Sequence, residues 1–304
     1  MVDFQNIIEE IHKELKSEIN RGLVASYIPE LSNIDAQNFG IHVKHVDDNS
    51  YQTGQWHTPF SIQSISKAFS LALALPIYKE TIWQRLDVEP SGNPFNHLSL
   101  LELENGIPRN PFINAGAIVI ADMLVSHYEH PKQVFLEYVR DIANDQTIDF
   151  NQDVFKSEQL TGFNNYAAAN LLKSFNNLEN DVDEVLDFYF HQCAIEMSCE
   201  QLSNAFFMFA NHGKCLQQKQ RLTSTQDKRI NAIMLTWGFY DEAGEFAFEV
   251  GLPGKSGVGG GIVAVLPNHF VISVWSPGLN EKGNSLLGMK ALEQFTSKTN
   301  LSIF

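Results

Sequence analysis

Ser64 and Lys67 stand three residues apart in the stretch "FSIQSISKAFS", residues 60–70. On a helix this spacing sets both side chains on one face, with Cβ atoms about 5–6 Å apart. A serine hydroxyl is a poor nucleophile near neutral pH and needs a base to take its proton. A lysine serves as that base only when neutral. Burial can lower its pKa from about 10.4 by up to about 3–5 units. The neighbours Ile62, Ile65, Ala68, Phe69 and Leu71 are apolar and suit such burial. Backbone N–H groups at a helix start, that of Ser64 among them, can hold a developing oxyanion. By itself a Ser-x-x-Lys spacing is commonly a surface serine beside a snorkelling lysine. Here it is the one place in the chain where lysine follows serine at that distance. A second short motif, Lys255-Ser256-Gly257, precedes an apolar hairpin. Together the two motifs point to serine acyl transfer.

The elements that must hold these groups are legible in outline. The chain has 304 residues, 44% hydrophobic and 19% charged, enough for a large core and two lobes. Lys plus Arg number 21 against 36 Asp plus Glu, a net charge of -15 that disfavours nucleic acid and anionic membrane surfaces. Phe4, Ile7, Ile8, Ile11 and Leu15 make one face of a first helix, expected to run to about Leu23. Ile41, Val43 and His45 alternate before Asp47-Asp48-Asn49, which reads as a hairpin. From Ser64 to about Gln201 the pattern is mostly helical. Ile262–Leu266 and Phe270–Trp275 form a hairpin of strands buried on both faces, turned at Pro267-Asn268-His269. Asn284 or Ser285 caps a last helix with Leu286, Leu287, Met289, Leu292 and Phe295 inside. The expected architecture is a mixed α/β lobe with a central antiparallel sheet from 1–63 and 202–304, and a mainly helical lobe from 64–201. The active site lies in the cleft between them.

Cys193, Cys199 and Cys215 are odd in number and form no Cys-x-x-Cys, so reduced thiols in a cytoplasmic protein are expected. The acidic, helical N-terminus is unlike a signal peptide. The run Leu71–Leu75, cut by Pro76, is too short to span a bilayer. His42 and His45 read as sharing a strand face but lack a carboxylate partner, so no metal and no organic cofactor are expected.

Lys255-Ser256-Gly257 resembles the strand that faces the Ser-x-x-Lys serine in penicillin-binding proteins and β-lactamases. Their middle motif, Ser-Asp-Asn or Tyr-x-Asn, is absent between the two here. Further stretches carry a closer resemblance: "VASYIPEL", "FSIQSISK", "EPSGNPFN", "PRNPFINAGAI", "SEQLTGFNN", "LDFYFHQCAIEMSCE", "GFYDEAGEFAFEVGLPGKSGVGGGI" and "WSPGLNEKGNS". In this order, from about Val24 to Ser285, the chain resembles the serine-dependent glutaminases of the β-lactamase-like fold. Asn164 stands where that family usually has Arg, and Gln55 where Asp is common. Both departures are expected to affect local loop packing only.

The resemblance implies an α/β (α+β) fold, an antiparallel sheet flanked by helices plus a helical lobe, and hydrolysis of L-glutamine to L-glutamate and ammonia. Ser64 is then the nucleophile and Lys67 its base. The N–H groups of Ser64 and Val258 form the oxyanion hole. Tyr27, Gln63, Asn114, Glu158, Asn165, Tyr189 and Tyr240 line the substrate pocket. Residue chemistry agrees: Glu158 suits the substrate ammonium, while Asn114, Asn165 and Tyr27 can donate to its carboxylate. Tyr240, in preference to Tyr189, is the proton shuttle. On pattern alone these residues have plainer readings: Tyr189 as core, Glu158 as a solvated carboxylate and Asn114 as a helix N-cap. His191, Cys193 and Cys199 are read as structural. A homodimer or homotetramer is implied. The competing readings are another serine acyl hydrolase of the same fold and a non-catalytic amino-acid-binding module.

Overall fold

The computed structural model describes residues 2–90 and 98–304, so most of the "EPSGNPFN" stretch lies outside the described residues. The strands are β1 (Leu23–Val24), β2 (Gly40–His45), β3 (Ser50–Gly54), β4 (Phe60–Ser61), β5 (Asp149–Phe150), β6 (Ile195–Met197), β7 (Gly254–Ser256), β8 (Gly261–Leu266), β9 (Phe270–Trp275) and β10 (Gly278–Leu279). The helices are α1 (Phe4–Lys16), α2 (Ser66–Tyr78), α3 (Ser99–Leu103), α4 (Asn114–His127), α5 (Pro131–Ala143) and α6 (Gln152–Thr161). They continue with α7 (Phe163–Ser174), α8 (Val182–Cys193), α9 (Cys199–Ala210), α10 (Ser224–Trp237), α11 (Ala243–Glu249) and α12 (Leu286–Thr299).

The main sheet runs β3-β2-β9-β8-β7, antiparallel throughout. Its pleat sorts the side chains. Ile41, Val43, Ile262, Ala264, Ile272 and Val274 join one apolar cluster with α1 and α12. Val263, Val265, Val271 and Trp275 join another with α9 and the helical layer beyond it. Both faces are therefore covered, which is why β8 and β9 read as unbroken apolar runs. The two expected hairpins are present. Ser285 caps α12, its hydroxyl accepting from the Gly288 N–H and donating to the Ser276 carbonyl.

The first helix is shorter than expected, ending at Lys16 instead of near Leu23. Its apolar stripe runs out at Leu15, and Ile19 is 99% exposed. Arg21 instead folds back to the carbonyls of Ala36, Lys16 and Gln37, and Leu23–Val24 pairs with Gly278–Leu279. His42 and His45 fall on opposite faces, as three-residue spacing in a strand requires. The His45 ring meets Phe4, and the His42 ring meets Trp56.

The helical layer is built around α2 and α4, each buried along nearly all of its length. An all-round apolar helix belongs in the middle of a protein. On α4, Asp122 is fully buried and accepts from Arg85 Nη2 at 2.5 Å, from the N–H groups of Glu179 and Asn180, and from Asn180 Nδ2. This ties the segment before α8 to α4.

A glycine seam joins the layers beside Ser64. Added Cβ atoms at Gly257 and Gly259 would stand 2.4 and 2.0 Å from the carbonyl oxygens of Ile62 and Ser61. The backbone after β7 thus lies flush against the segment leading to Ser64. The Trp275 indole closes the seam by donating to the Gly259 carbonyl at 3.0 Å and stacking on Phe60.

Candidate active site

A cavity of about 410 Å³ opens where the start of α2, the start of α4, the α6–α7 junction, α8 and the loop after β7 meet. Tyr27, Gln63, Ser64, Asn114, Glu158, Asn165, Tyr189 and Val258 all line it. Lys67 and Tyr240 stand behind this lining, both buried. Tyr27, one of the lining residues, is 56% exposed. The structure thus gathers the expected side chains from segments far apart in sequence.

Three expectations about the lining are revised. Asn164 lines the cavity beside Phe163, so its departure from the family pattern falls on the site and not on loop packing alone. Gln55 does act locally, accepting from the Phe39 N–H at 3.1 Å. Cys193, read as structural, also lines the cavity. It stands four residues after Tyr189 on α8, a spacing that shares a helix face and could have revealed it. Burial first, then the Glu158 charge, pushes its thiol pKa up, so it is a neutral wall group. Asn114 is the first residue of α4 but not its cap, which is Ile113.

Ser64 lies in a 3-10 turn, Gln63–Ile65, that feeds α2 at Ser66. Lys67 follows one turn later. Its Nζ donates to the Asn114 Oδ1 at 2.7 Å and to the Phe112 carbonyl at 3.1 Å. Asn114 is fixed in that orientation because its Nδ2 donates to the Asn165 Oδ1 at 2.9 Å. Burial lowers the Lys67 pKa to about 8, against the opposing pull of Cys193 and Glu158. A neutral amine has two protons and one lone pair. Two acceptors here take the two protons and leave the lone pair.

Glu158 is equally buried. Burial raises its pKa to about 8, while Gln63 and Lys67 pull it down. The Gln63 Nε2 donates to the Glu158 Oε1 at 2.7 Å and to the Ser61 Oγ at 2.9 Å, and the Ser61 hydroxyl donates to the Cys193 carbonyl at 3.1 Å. Gln63 holds a positive φ of 51°, next to the nucleophile candidate. Non-glycine residues rarely adopt this conformation unless their surroundings enforce it.

Tyr240 also has a positive φ, 58°. Burial raises its pKa to about 12, and the nearby Ser64 and Ser256 side chains pull the other way. Lys255 sits over its ring at 4.5 Å and donates to the carbonyls of Gly238 at 3.0 Å and Ser256 at 2.7 Å. Burial, then the nearby Lys67 charge, holds the Lys255 pKa well below the usual lysine range. Among the described residues, no three His, Cys, Asp or Glu side chains are grouped as metal ligands. No described helix is long and apolar enough to cross a membrane.

Comparison with known proteins bears on this geometry. The glutaminase family model matches residues 22–304. A glutaminase of Christiangramia forsetii is 54% identical over 304 residues, covering 100% of both chains. One of Aliarcobacter butzleri is 52% identical over 305 residues, again with 100% of both covered. Among solved structures, the probable glutaminase ybaS superposes with a TM-score of 0.94 at 34% identity, covering 99% of this chain and 98% of that one. The probable glutaminase of Bacillus subtilis, complexed with 6-diazo-5-oxo-L-norleucine, gives 0.85 at 31% identity with 99% and 95% covered. Relatedness along the whole length, on a β-lactamase-like fold, assigns this chain to the glutaminase family.

Proposed function

We propose that the protein hydrolyses the side-chain amide of L-glutamine through an acyl-enzyme on Ser64. Ser64 Oγ adds to the amide carbon as its proton passes to Lys67 Nζ. The oxyanion so formed is held by the N–H groups of Ser64 and Val258, at the head of α2 where the helix dipole favours negative charge. Collapse breaks the C–N bond. Tyr240 carries a proton from Lys67 to the departing ammonia. Water then adds to the ester carbon, giving a proton to Lys67, and the bond to Ser64 Oγ breaks as Oγ takes that proton back and glutamate leaves. Glu158, steadied by Gln63, receives the substrate ammonium. Asn165, with its Oδ1 held by Asn114, has its Nδ2 left for the carboxylate, and Tyr27 donates from the mouth. Tyr189 walls the site.

One observation carries this reading: a fully buried lysine, one turn after a cavity-lining serine, whose amine has two acceptors and a pKa of about 8. We read the cleft as lying between a sheet lobe, 1–63 and 202–304, and a helical lobe, 64–201. A cytoplasmic location is supported by three buried free thiols. A homodimer or homotetramer is supported by the exposed Phe248 and Phe304, which line one surface groove; sedimentation of the purified protein checks it.

The deciding experiment uses ammonia release and 6-diazo-5-oxo-L-norleucine, a diazoketone with a glutamine-like backbone. The wild type should release ammonia from glutamine and gain one covalent adduct, mapped to Ser64. Ser64→Ala should do neither while melting at nearly the same temperature. Turnover of a chromogenic β-lactam but not of glutamine would replace this reading with that of another acyl hydrolase. Glutamine binding without turnover would leave only a binding module.

A further inference from the structure

Lys255 is fully buried against the Tyr240 ring, yet the reaction above does not use it. It lies in β7, the last strand of the main sheet. Pro253 and Gly257 turn their backbone groups toward β8: the Val265 N–H donates to the Pro253 carbonyl at 2.8 Å, and the Gly257 N–H to the Gly261 carbonyl at 3.0 Å. Alternate residues of an antiparallel strand face the other way, so the backbone groups of Ser256 point off the sheet edge. Gly238 meets them there. Its carbonyl accepts from the Ser256 N–H at 3.1 Å, and its backbone lies too close to the Gly254 carbonyl to leave room for a Cβ.

This arrangement leaves the Ser256 carbonyl buried at the edge, in need of a donor. Lys255 supplies it. Its Nζ gives one proton to the Ser256 carbonyl at 2.7 Å and another to the Gly238 carbonyl at 3.0 Å. The amine lies 4.5 Å from the centre of the Tyr240 ring. Both bridging bonds together need two protons, which a neutral amine has. The bridge therefore persists at the lowered pKa that burial and Lys67 give this lysine.

What the bridge holds is the backbone that leads to Val258. The peptide between Ser256 and Gly257 is fixed at both ends, its carbonyl by Lys255 and its N–H by Gly261. The next peptide carries the Val258 N–H, and its carbonyl, that of Gly257, accepts from the Gly260 N–H at 2.9 Å. Two successive peptide planes are thus pinned. On the other side of the bridge, Gly238 stands two residues before Tyr240. We propose that Lys255 is a positioning residue: by joining the carbonyls of Gly238 and Ser256 it aims the Val258 N–H at the oxyanion and seats the Tyr240 ring. This rests on the glutaminase reading. Without the amine, the Ser256 carbonyl must turn toward another donor, and that turn carries the Gly257–Val258 peptide with it. Glu158 and Asn165 are untouched, so the loss falls on the transition state and not on substrate binding.

The test is steady-state kinetics with glutamine across pH, on two variants held well below their melting temperatures. Lys255→Met fills most of the same space without an N–H. Lys255→Gln keeps two amide protons, one bond short. In Lys255→Met we expect kcat to fall by about tenfold or more with KM changed by less than about twofold. Lys255→Gln should recover part of that loss, since it can reach one carbonyl. The kcat/KM midpoint set by Lys67 should stay in place in both, because a neutral lysine adds no charge beside it. A wild-type kcat in Lys255→Met would overturn the proposal, even with a lowered melting temperature, as would a loss confined to KM. A midpoint moved by about a unit would make Lys255 an electrostatic partner of Lys67 instead. No recovery in Lys255→Gln would show that packing matters and hydrogen bonding does not. Should Lys255→Met fail to fold, Lys255→Gln decides alone: a wild-type kcat refutes the bridge, and a lowered kcat at unchanged KM supports it. Absence of ammonia release from the wild type would instead remove the glutaminase reading, and this proposal with it.

Discussion

Lys67 is the residue on which the proposed chemistry turns. The amine acts as base only when neutral, and its pKa in the folded protein is lowered to about 8. The neutral fraction grows as pH rises, so kcat/KM should climb toward a plateau above about pH 8. A flat profile from mildly acid to alkaline pH contradicts a lysine base. Lys67→Met should lower kcat by about 10²–10⁴-fold. Glu158 leads to a second, independent measurement. Below about pH 8 its carboxyl carries a proton, and an arriving ammonium favours the ionised form, so binding should expel that proton. Calorimetry of glutamate binding in buffers of different ionisation enthalpy should detect the release at neutral pH, and Glu158→Gln should abolish it. Equal heats in every buffer would remove Glu158 from the ammonium subsite. At this scale the sequence was partly readable. Ser64 and Lys67 declare themselves by spacing, since they stand one turn apart along the chain. Glu158, Asn165 and Val258 do not, since only tertiary packing brings them to one cavity. Asn164 was passed over for the same reason, whereas Cys193 was missed although its helical spacing from Tyr189 pointed to the same face.

Elements carry the stability of this frame, and two buried polar groups expose how. His42 on β2 is fully buried, and burial lowers its pKa from 6.5 to about 3. Its neutral form is therefore required in the fold. The sign is that of a depressed histidine: stability is complete above about pH 6.5 and is lost as pH falls toward about 3. The full loss is on the order of 5 kcal/mol. His42→Leu should flatten the decline in urea midpoint between neutral and acid pH; an unchanged slope would show that other groups govern acid unfolding. Asp122 on α4 makes the opposite kind of demand. Removing it strands Arg85 and two backbone N–H groups, so Asp122→Ala should cost about 3–5 kcal/mol in chemical denaturation. A cost below about 1 kcal/mol would mean that solvent replaces the carboxylate. Element type was largely legible, since hairpins and apolar helices follow side-chain period. The end of α1 was not, because Arg21 and the β1–β10 pairing decide it from a distance. Nor was the 3-10 turn at Ser64, which the contacts of Gln63 with Ser61 and Glu158 impose.

The whole molecule carries a net charge of -15, which repels itself. Raising salt from low levels to about 0.5 M shortens the screening length to a few ångströms. The melting temperature should rise accordingly. Glutamine is a net-neutral zwitterion, so kcat/KM should change little over the same range. A steep fall in kcat/KM with salt would reveal steering of a charged substrate. The two-ended origin of the sheet was visible in the sequence, because strand-like periodicity appears before Ser64 and again after Gly254. What the sequence does not display is how closely those ends meet. The bare backbone at Gly257 and Gly259 rests on the carbonyls of Ile62 and Ser61. A nascent chain still short of that loop already holds Ser64, Lys67 and the lysine's partners Phe112 and Asn114, but lacks the backbone that abuts the segment leading to the serine. Catalytic competence should therefore arrive late and abruptly during translation, sparing the ribosome's surroundings any half-formed hydrolase.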